Sequence, residues 1–390
     1  MIDAAAGDPG APPHPDRNRW DPPAGDQRQV LMRTGPFALI DDHEQVVFGN
    51  DPQSGLRCII AIHSTALGPA LGGTRMYPYA TEDEALVDVL RLSRGMTYKA
   101  ACAGLDLGGG KAVIIGDPAT DKSEALLRAY GRVVESLGGR YVTACDVGTY
   151  TDDMALVGRE TRWATGASID EGGSGDSGVM TALGTYVGIK AAVEFVFGDP
   201  SMRGRHVAIQ GVGKVGRRLA EHLHAEGCRL SVADVDAGAA AACAERFGAE
   251  VVDVADVHAV DADVFSPNAL GAVVNPATRG EMRCAIVAGA ANNQLATEED
   301  GEALADAGIL YAPDYVINAG GVIQVGDELH PGGWSTDRIT ARVHRIGPRL
   351  AEIFADAKGS GISTARAAER AAEARIAAVG RLRSFHLPDR

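Results

Sequence analysis

The stretch His206-Val-Ala-Ile-Gln-Gly-Val-Gly-Lys-Val-Gly216 decides the fold of this chain. It begins as a short apolar strand and runs directly into the pattern Gly-x-Gly-x-x-Gly. An amphipathic helix pattern continues to about residue 226, and a second strand at 229–233 leads to Asp234, 18 positions after Gly216. A lone glycine pattern is a weak signal, but strand, glycines, helix, strand and acid in this order predict a dinucleotide-binding βαβ unit.

Each fixed position of this unit has a physical reason. Gly211 permits a tight turn, Gly213 lets the backbone approach a pyrophosphate, and Gly216 lets helix and strand pack closely. Asp234 is expected to accept hydrogen bonds from ribose hydroxyls and to repel a 2′-phosphate, and no arginine follows it, so NAD is predicted over NADP. The cofactor-binding residues predicted in this unit are Gly211, Val212, Gly213, Lys214, Val215, Gly216 and Asp234, and Asn293 and Asn318 are added to them further along the chain.

Length, charge and cysteine usage limit the class of protein. With 390 residues, 45% of them hydrophobic, the chain is long enough for two domains with ample cores. A net charge of −15 argues against a nucleic-acid partner, which requires a basic surface. We find no apolar run of the about 18 to 20 residues that a membrane helix needs, and no secretory signal. The six cysteines are scattered without a Cys-x-x-Cys pair, which favours reduced thiols in a cytoplasmic protein and no metal site.

The first half of the chain begins with a predicted hairpin and a glycine-rich loop. Clusters of β-branched residues at 45–48 and 56–62 flank a turn signal and predict two paired strands. The glycine-rich segment 63–75 is then expected to be a loop. In that loop, Gly72 and Gly73 would present backbone N–H groups to an anion, although most glycine pairs are only turns.

Two lysines twelve positions apart mark a second candidate site. A capping box of Thr81 and Glu84 starts a helix that carries the chain to Lys99. A triple glycine precedes Lys111, which is expected at the mouth of a buried strand at 112–115. Because the pKa of lysine falls readily on burial or beside a second cation, one lysine can hold a carboxylate while the other acts as a base. Taken alone, Lys111 is better explained as a surface lysine after a glycine turn.

An acidic residue follows the next predicted strand. A helix opened by Asp121 and Glu124 precedes the strand at 141–145, which runs straight into Asp146. Ligands gather at the carboxyl ends of strands in open α/β sheets, so Asp146 is a candidate for proton chemistry. It is equally well explained as the cap of the next helix.

The order of elements predicts an α/β protein of two domains. A proline-rich segment at 1–27 reads as a disordered tail, because it cannot bury enough apolar surface to order itself. Residues 28–175 are predicted to form a catalytic domain with a mixed sheet, and the polar segment 169–177 a crossing between domains. Residues 176–349 are predicted to form a Rossmann-type doubly wound NAD-binding domain, with the helices of residues 350–390 returning to the first domain.

Later strands and turns complete the second domain. Strands are predicted at 251–252, 263–265, 286–287 and 309–310. Asn293 lies in a turn after one strand and Asn318 in a turn at 318–322 after another, where the nicotinamide end of the cofactor is expected. The C-terminus is predicted to hold a helix at 336–358, bent near Pro348, and a second at 363–383.

These motifs together resemble the glutamate/leucine/phenylalanine/valine dehydrogenase family, and within it the branched-chain members. The resemblance is colinear from about residue 30 to the end and far more specific than any one motif. The matching segments are Gly-Gly-Thr-Arg at 72–75, Gly-Met-Thr-Tyr-Lys at 95–99, Gly-Gly-Gly-Lys at 108–111, Ala-Cys-Asp-Val-Gly-Thr at 144–149, the glycine pattern at 211–216, Gly-Ala-Ala-Asn-Asn-Gln-Leu at 289–295 and Pro-Asp-Tyr-Val-Ile-Asn-Ala-Gly-Gly-Val-Ile at 313–323.

The resemblance implies roles for individual residues. Lys99 is similar to the lysine that binds the substrate α-carboxylate, helped by the backbone of Gly72 and Gly73. Lys111 resembles the general base, and Asp146 its partner in proton transfer at the amine and at water. Asn293 resembles the asparagine that contacts the substrate amine and the nicotinamide. The side-chain pocket implied by the resemblance comprises Leu71, Met96, Ala144, Val322 and Val325.

The implied reaction is NAD-dependent oxidative deamination of a branched-chain L-amino acid, with L-valine preferred, by a homo-oligomeric enzyme. Leucine or phenylalanine dehydrogenase activity is the alternative, because one methylene changes binding in an apolar pocket by only ~1–3 kcal/mol. A non-catalytic NAD-binding regulator is the rival from another class. Such a regulator has no need for Lys99, Lys111 and Asp146 together.

Overall fold

The computed structural model describes residues 36–40, 42–269 and 271–380. The tail predicted at 1–27 lies outside these residues, as does the end of the helix predicted at 363–383. The chain forms two compact units, residues 1–42 and residues 43–390. The described part of the first contains the 3-10 helix Pro36–Ala38. All strands and α-helices named below belong to the second.

The first sheet is mixed and has five strands in the order β1-β2-β4-β3-β5. β1 and β2 form the predicted antiparallel hairpin, β2 pairs antiparallel with β4, and β3 pairs parallel with both β4 and β5. The bounds are β1 (Gln45–Asp51), β2 (Leu56–Ser64), β3 (Ala70–Tyr77), β4 (Gly108–Ile115) and β5 (Tyr141–Cys145).

Two predictions about this sheet are wrong. Gly72 and Gly73 lie within β3 and not in a loop, and Lys111 lies inside β4 and not at its mouth. Because glycine is depleted in strands, the glycine runs at 72–73 and 108–110 favoured a prediction of loops at positions that are strand. The close approach of β3 and β4 requires glycine, because a Cβ on Gly72 would lie 1.7 Å from the carbonyl oxygen of Gly110.

One long helix packs on this sheet and carries a predicted site lysine. α1 (Glu82–Cys102) is capped by Thr81, whose hydroxyl accepts the N–H of Glu84 at 3.1 Å, which is one half of the predicted capping box. The other half differs, because the carboxylate of Glu84 accepts the N–H of Ala80 at 3.1 Å and not that of Thr81. It packs against β2 and β4, and Lys99 lies in its last turn. α2 (Glu124–Glu135) and α3 (Thr151–Gly158) pack against each other beside β5.

The second sheet is parallel and has the order β11-β10-β9-β6-β7-β8. The chain enters at β6, winds outward to β8 and then crosses to β9 on the other side of β6. This doubly wound order leaves a crevice for a ligand beside β6, as the sequence predicts. The bounds are β6 (His206–Gln210), β7 (Arg229–Ala233), β8 (Glu250–Val251), β9 (Val264–Pro267), β10 (Ile286–Val287) and β11 (Leu310–Tyr311).

The remaining helices follow along the chain to its last described residue. They are α4 (Gly178–Phe197), α5 (Gly216–Ala225), α6 (Ala237–Phe247), α7 (Glu298–Asp306), α8 (Asp314–Ile317), α9 (Gly320–Asp327), α10 (Thr336–Val343), α11 (Ile346–Ser360) and α12 (Thr364–Gly380).

Two predictions about these helices are wrong. The turn predicted at 318–322 is mostly helix, because Asn318 joins α8 directly to α9. The single bent helix predicted at 336–358 is two helices, α10 and α11, which separate at residues 344–345. Pro348 lies in the first turn of α11, where a backbone N–H has no partner within the helix and its loss is tolerated.

The C-terminal helix packs on the first half of the chain. α12 lies against α1, where the hydroxyl of Tyr98 donates to Glu373 at 3.1 Å. Arg375 forms a second link, an ion pair of 2.9 Å with Asp106. α11 packs instead against α4.

One described helix, α4, is long and apolar enough to cross a membrane by length and composition alone. Its surroundings are those of a helix inside a protein core. A Cβ on Gly188 would lie 2.4 Å from a side-chain carbon of Ile317 and 2.8 Å from one of Leu350. α4 therefore packs tightly against α8 and α11.

Candidate active site

A cavity of about 300 Å³ is lined by residues from both halves of the chain. It brings together the predicted catalytic and substrate residues Leu71, Gly72, Gly73, Met96, Lys99, Lys111, Ala144, Asp146, Asn293, Val322 and Val325, with Val215 and Asn318 of the predicted cofactor site. The other predicted cofactor residues, Gly211, Val212, Gly213, Lys214, Gly216 and Asp234, do not line it. We call this cavity the cleft.

Lys111 and Asp146 form an ion pair in the cleft. Nζ of Lys111 lies 2.8 Å from Oδ2 of Asp146, and the lysine side chain is only 7% exposed. β4 holds Lys111 in the middle of the sheet, and Asp146 follows the carboxyl end of β5. Gly73 makes room for this arrangement, because a Cβ there would lie 2.9 Å from the Cβ of Asp146.

A second cation contacts the same aspartate. Nε of Arg75, on β3, donates to Oδ2 of Asp146 at 3.2 Å. Burial raises the pKa of Asp146, but the charges of Lys111 and Arg75 outweigh it and lower that pKa to about 2. Asp146 is therefore ionised at neutral pH. Arg75 belongs to the quoted Gly-Gly-Thr-Arg motif, but the sequence reasoning did not single it out.

Lys99 projects into the cleft from the last turn of α1. Its Nζ donates to Oδ1 of Asn292 at 3.1 Å. Burial lowers the pKa of Lys99 to about 8, an effect that Asp314 opposes and Lys111 reinforces. Asp314, which the sequence reasoning also missed, is itself buried, and burial raises its pKa although the backbone N–H of Gln294 donates to it at 2.8 Å.

Both asparagines of the pair at 292–293 line the cleft. It is Asn292 whose side chain contacts Lys99, and Oδ1 of Asn292 also accepts a hydrogen bond of 2.8 Å from Nδ2 of Asn318. Asn293 lines the cleft with a left-handed backbone, φ 52°, and its carbonyl accepts the N–H of Ala272 at 2.7 Å. Sequence reasoning missed Asn292, and the doubled asparagine offered no means of choosing between the two.

The walls of the cleft away from the charges are apolar. Leu71 is buried in β3 and Ala144 in β5, while Val322 and Val325 are buried on α9. Met96, one turn before Lys99, completes this wall. The exposed Arg91 also lines the cleft, in addition to the predicted residues. The apolar wall suits an aliphatic side chain.

The glycine turn after β6 has the geometry that a dinucleotide needs. Gly211 has φ +88°, and a Cβ on Gly216 would lie 1.9 Å from the carbonyl oxygen of Gly211. A Cβ on Gly213, by contrast, would meet no atom within 4 Å, so the backbone is open to a ligand there. α5 begins at Gly216 and directs its N-terminal N–H groups to this opening. The residues present therefore fit a pyrophosphate.

Asp234 and Lys214 flank this turn. Oδ2 of Asp234 accepts the N–H of Val212 at 2.8 Å, and Oδ1 accepts the N–H of Asp236 at 2.9 Å. Lys214 forms an ion pair of 2.8 Å with Asp176, which lies just before α4. Asp234 thus ties the end of β7 to the glycine turn.

Two family profiles match the chain. Residues 43–163 match the dimerisation domain of Glu/Leu/Phe/Val dehydrogenases, and residues 238–386 match the Glutamate/Leucine/Phenylalanine/Valine dehydrogenase family. Members of this family are NAD(P)-dependent amino-acid dehydrogenases.

Individual relatives agree with these profiles. Valine dehydrogenase of Streptomyces coelicolor is 57% identical over 339 residues, which cover 86% of this chain and 92% of that protein. Leucine dehydrogenase of Thermoactinomyces intermedius is 51% identical over 348 residues, 89% of this chain and 94% of that protein. The crystal structure of L-tryptophan dehydrogenase from Nostoc punctiforme has a TM-score of 0.74 at 43% identity, covering 90% of this chain and 99% of the other. The two-lysine cleft and the glycine turn thus occur in a chain that belongs to the Glu/Leu/Phe/Val dehydrogenase family.

Proposed function

We propose that this protein catalyses NAD-dependent oxidative deamination of a branched-chain L-amino acid, L-valine foremost, to the 2-oxo acid, ammonia and NADH. One observation carries the proposal: two lysines and an ionised aspartate converge in a cleft with aliphatic walls. The 57% identity to valine dehydrogenase supports the same reaction. The reaction is reversible.

Different groups in the cleft bind different parts of the substrate. Lys99, in its protonated form, holds the substrate α-carboxylate, with the backbone of Gly72 and Gly73 beside it. Asn293 contacts the substrate amine and the nicotinamide region, and Asn318 supports this region through its hydrogen bond to Asn292. The apolar wall formed by Leu71, Met96, Ala144, Val322 and Val325 receives the side chain.

The ion pair of Lys111 and Asp146 handles the protons. Bound NAD supplies the hydride acceptor at Cα of the amino acid. Loss of the hydride leaves an iminium at Cα. Lys111 in its neutral form is the general base that takes a proton from the water adding to this carbon, and Asp146 passes a proton to the amine so that ammonia leaves as the 2-oxo acid forms. Both groups lie at one side of the cleft, within hydrogen-bond distance of each other. A proton can therefore move directly between the two side chains.

The preference for valine rests on overall similarity and on the wall of the cleft. The apolar residues of that wall offer no cation for a second carboxylate, which disfavours glutamate. Leucine is the second candidate, because a leucine dehydrogenase is 51% identical over 89% of this chain. One methylene separates the two substrates, which changes binding by only ~1–3 kcal/mol.

For the cofactor we propose NAD over NADP. Asp234 follows the end of β7, and both of its carboxylate oxygens accept backbone N–H groups, those of Val212 and Asp236. A fixed negative charge at this position repels a 2′-phosphate and accepts hydrogen bonds from ribose hydroxyls. Gly211, Val212, Gly213, Lys214, Val215 and Gly216 hold the pyrophosphate.

The remaining proposals concern organisation. Residues 28–175, together with about 350–390, form the catalytic and oligomerisation domain, and residues 176–349 the NAD-binding domain. A homo-oligomer is supported by the match of residues 43–163 to a dimerisation domain. All six cysteines are described and free, which supports a cytoplasmic location.

The test is NADH formation at alkaline pH with L-valine, L-leucine, L-phenylalanine and L-glutamate in parallel, with NADP as the cofactor control. We expect the highest kcat/KM with L-valine and NAD. Turnover with none of the four amino acids contradicts the proposal. Only the prediction of a dinucleotide-binding unit would then remain. The highest kcat/KM with L-leucine replaces valine by the second candidate.

A further inference from the structure

Arg75 lies at the centre of a charge network of three further residues, of which Asp146 lines the cleft and Asp88 and Tyr79 do not. Its Nε donates to Oδ2 of Asp146 at 3.2 Å, and its Nη1 donates to Oδ2 of Asp88 at 2.8 Å. The hydroxyl of Tyr79 donates to the same oxygen of Asp88 at 2.5 Å. Arg75 is therefore held between two carboxylates, one in the cleft and one outside it.

The network joins three elements that carry site residues. Arg75 lies on β3, four positions after Leu71. Asp146 follows β5, and Asp88 lies on α1, the helix whose last turn carries Lys99. The guanidinium of Arg75 thus links three parts of the site. They are the strand β3, the side chain of Asp146, and α1, the helix that carries Lys99.

The two oxygens of Asp146 are not equivalent. Lys111 and Arg75 both contact Oδ2, at 2.8 and 3.2 Å. Among the described residues, no group donates a hydrogen bond to Oδ1 of Asp146, although Asp146 lines the cleft. Two cations on one oxygen fix the plane of the carboxylate and leave the other oxygen available.

We propose that Arg75 is a positioning residue that fixes Asp146 through Oδ2, so that Oδ1 faces the substrate and moves the proton at the amine. This inference rests on the proposed function, because it assigns an atom to the role given there to Asp146. Asp88 and Tyr79 hold Arg75 in turn, so their effect on catalysis is weaker than that of Arg75.

The first measurement compares Arg75→Ala with wild type in kcat, KM for the amino acid and KM for NAD. We expect kcat to fall about 10²-fold, the loss that follows a displacement of about 1 Å of a reacting group, with KM for NAD unchanged. Added guanidinium is expected to restore part of kcat in Arg75→Ala and not to raise kcat of the wild type, since the site of Arg75 is partly exposed, 21%. Arg75→Lys is expected to retain an intermediate kcat, because it keeps the charge and loses one of two directed bonds.

The matched control is Arg128→Ala. Arg128 also pairs with two carboxylates, Glu160 at 2.6 Å and Glu124 at 3.3 Å, but neither lines the cleft. The kcat of Arg128→Ala is expected to equal that of wild type. A kcat of Arg75→Ala within twofold of wild type overturns the inference. So does a loss that neither guanidinium nor lysine restores, because a purely structural role predicts that result.

Two further variants separate the possible failures. If Arg75→Ala does not fold, Asp88→Asn tests the same claim, with an expected fall in kcat of several-fold and no change in KM for NAD; an unchanged kcat overturns it. Lys111→Ala is assayed in parallel. If Lys111→Ala keeps full turnover, the proposed function itself is contradicted. If Lys111→Ala loses turnover while Arg75→Ala keeps full activity, only the assignment of Arg75 is contradicted.

Discussion

Lys99 and Asn292 connect the two halves of the chain. Nζ of Lys99 donates to Oδ1 of Asn292 at 3.1 Å, although 193 positions separate them. Lys99 comes from the helix that packs on the first sheet, and Asn292 follows the short strand β10 of the second. The lysine proposed to bind the carboxylate is therefore contacted by the half of the chain proposed to bind the cofactor.

This contact predicts that Asn292 matters more than its neighbour. A hydrogen bond to a charged group contributes about 1.5–3 kcal/mol, so Asn292→Ala is expected to lower kcat/KM for the amino acid about 10- to 100-fold. Asn293→Gly is the matched variant, because glycine tolerates the φ of 52° at that position. A larger loss in Asn293→Gly than in Asn292→Ala would show that the contact of Asn293 with the amine outweighs the hydrogen bond of Asn292 to Lys99, and would contradict this prediction.

A second prediction concerns pH. Because the pKa of Lys99 is about 8, the lysine loses its charge as the pH rises above that value. The inhibition constant of 3-methylbutanoate, a branched carboxylate with no amine to titrate, should therefore increase above about pH 8. Asp314 raises the pKa of Lys99, so in Asp314→Asn the increase should begin at lower pH. An inhibition constant that stays constant from pH 7 to 10 contradicts the assignment of Lys99 as the carboxylate-binding cation.

Asp234 allows a prediction about cofactor choice. Asp234→Ser removes the fixed charge at the end of β7 and is expected to weaken NAD binding and to reduce discrimination against NADP. Asp236→Asn is the control, because Asp236 caps α6 through the N–H groups of Gly238 and Ala239 and an asparagine can do the same. Titration of both variants with NAD and NADP measures the effect. Unchanged affinities in Asp234→Ser contradict the role of Asp234.

Substrate preference should follow the size of the cleft. Val322→Ala removes two methyl groups from the wall and is expected to raise kcat/KM for L-leucine and L-phenylalanine relative to L-valine, by an amount of ~1–3 kcal/mol. Val343→Ala, a fully buried valine on α10 that does not line the cleft, is the control. It is expected to lower stability without changing the ranking of substrates. An unchanged ranking in Val322→Ala excludes Val322 from the side-chain pocket.

The strands of the second sheet could be predicted from the sequence to within two residues. β6 and β7 have the predicted bounds, because a strand, a glycine pattern and a helix in fixed order constrain one another. β3 and β4 were harder to recognise. Their glycines serve a contact between strands far apart in sequence, at Gly72 and Gly110, which local propensity cannot reveal.

The same limit applies to the site. Lys99, Lys111 and Asp146 were identified through the motifs that surround them, and the structure places all three in one cleft. Arg75 and Asp314 act on these residues through space. Their importance depends on which elements meet, and a single sequence does not contain that information.

The central claim, that Lys111 is the base of a dehydrogenase cleft, is tested most directly by Lys111→Ala. We expect its kcat for NADH formation from L-valine to fall about 10²- to 10⁴-fold, the usual loss on removal of a general base, with NADH affinity unchanged. Lys122→Ala is the matched control, since Lys122 also pairs with an aspartate, Asp153 at 2.7 Å, but does not line the cleft. Its kcat should equal that of wild type. Wild-type turnover in Lys111→Ala would contradict the account.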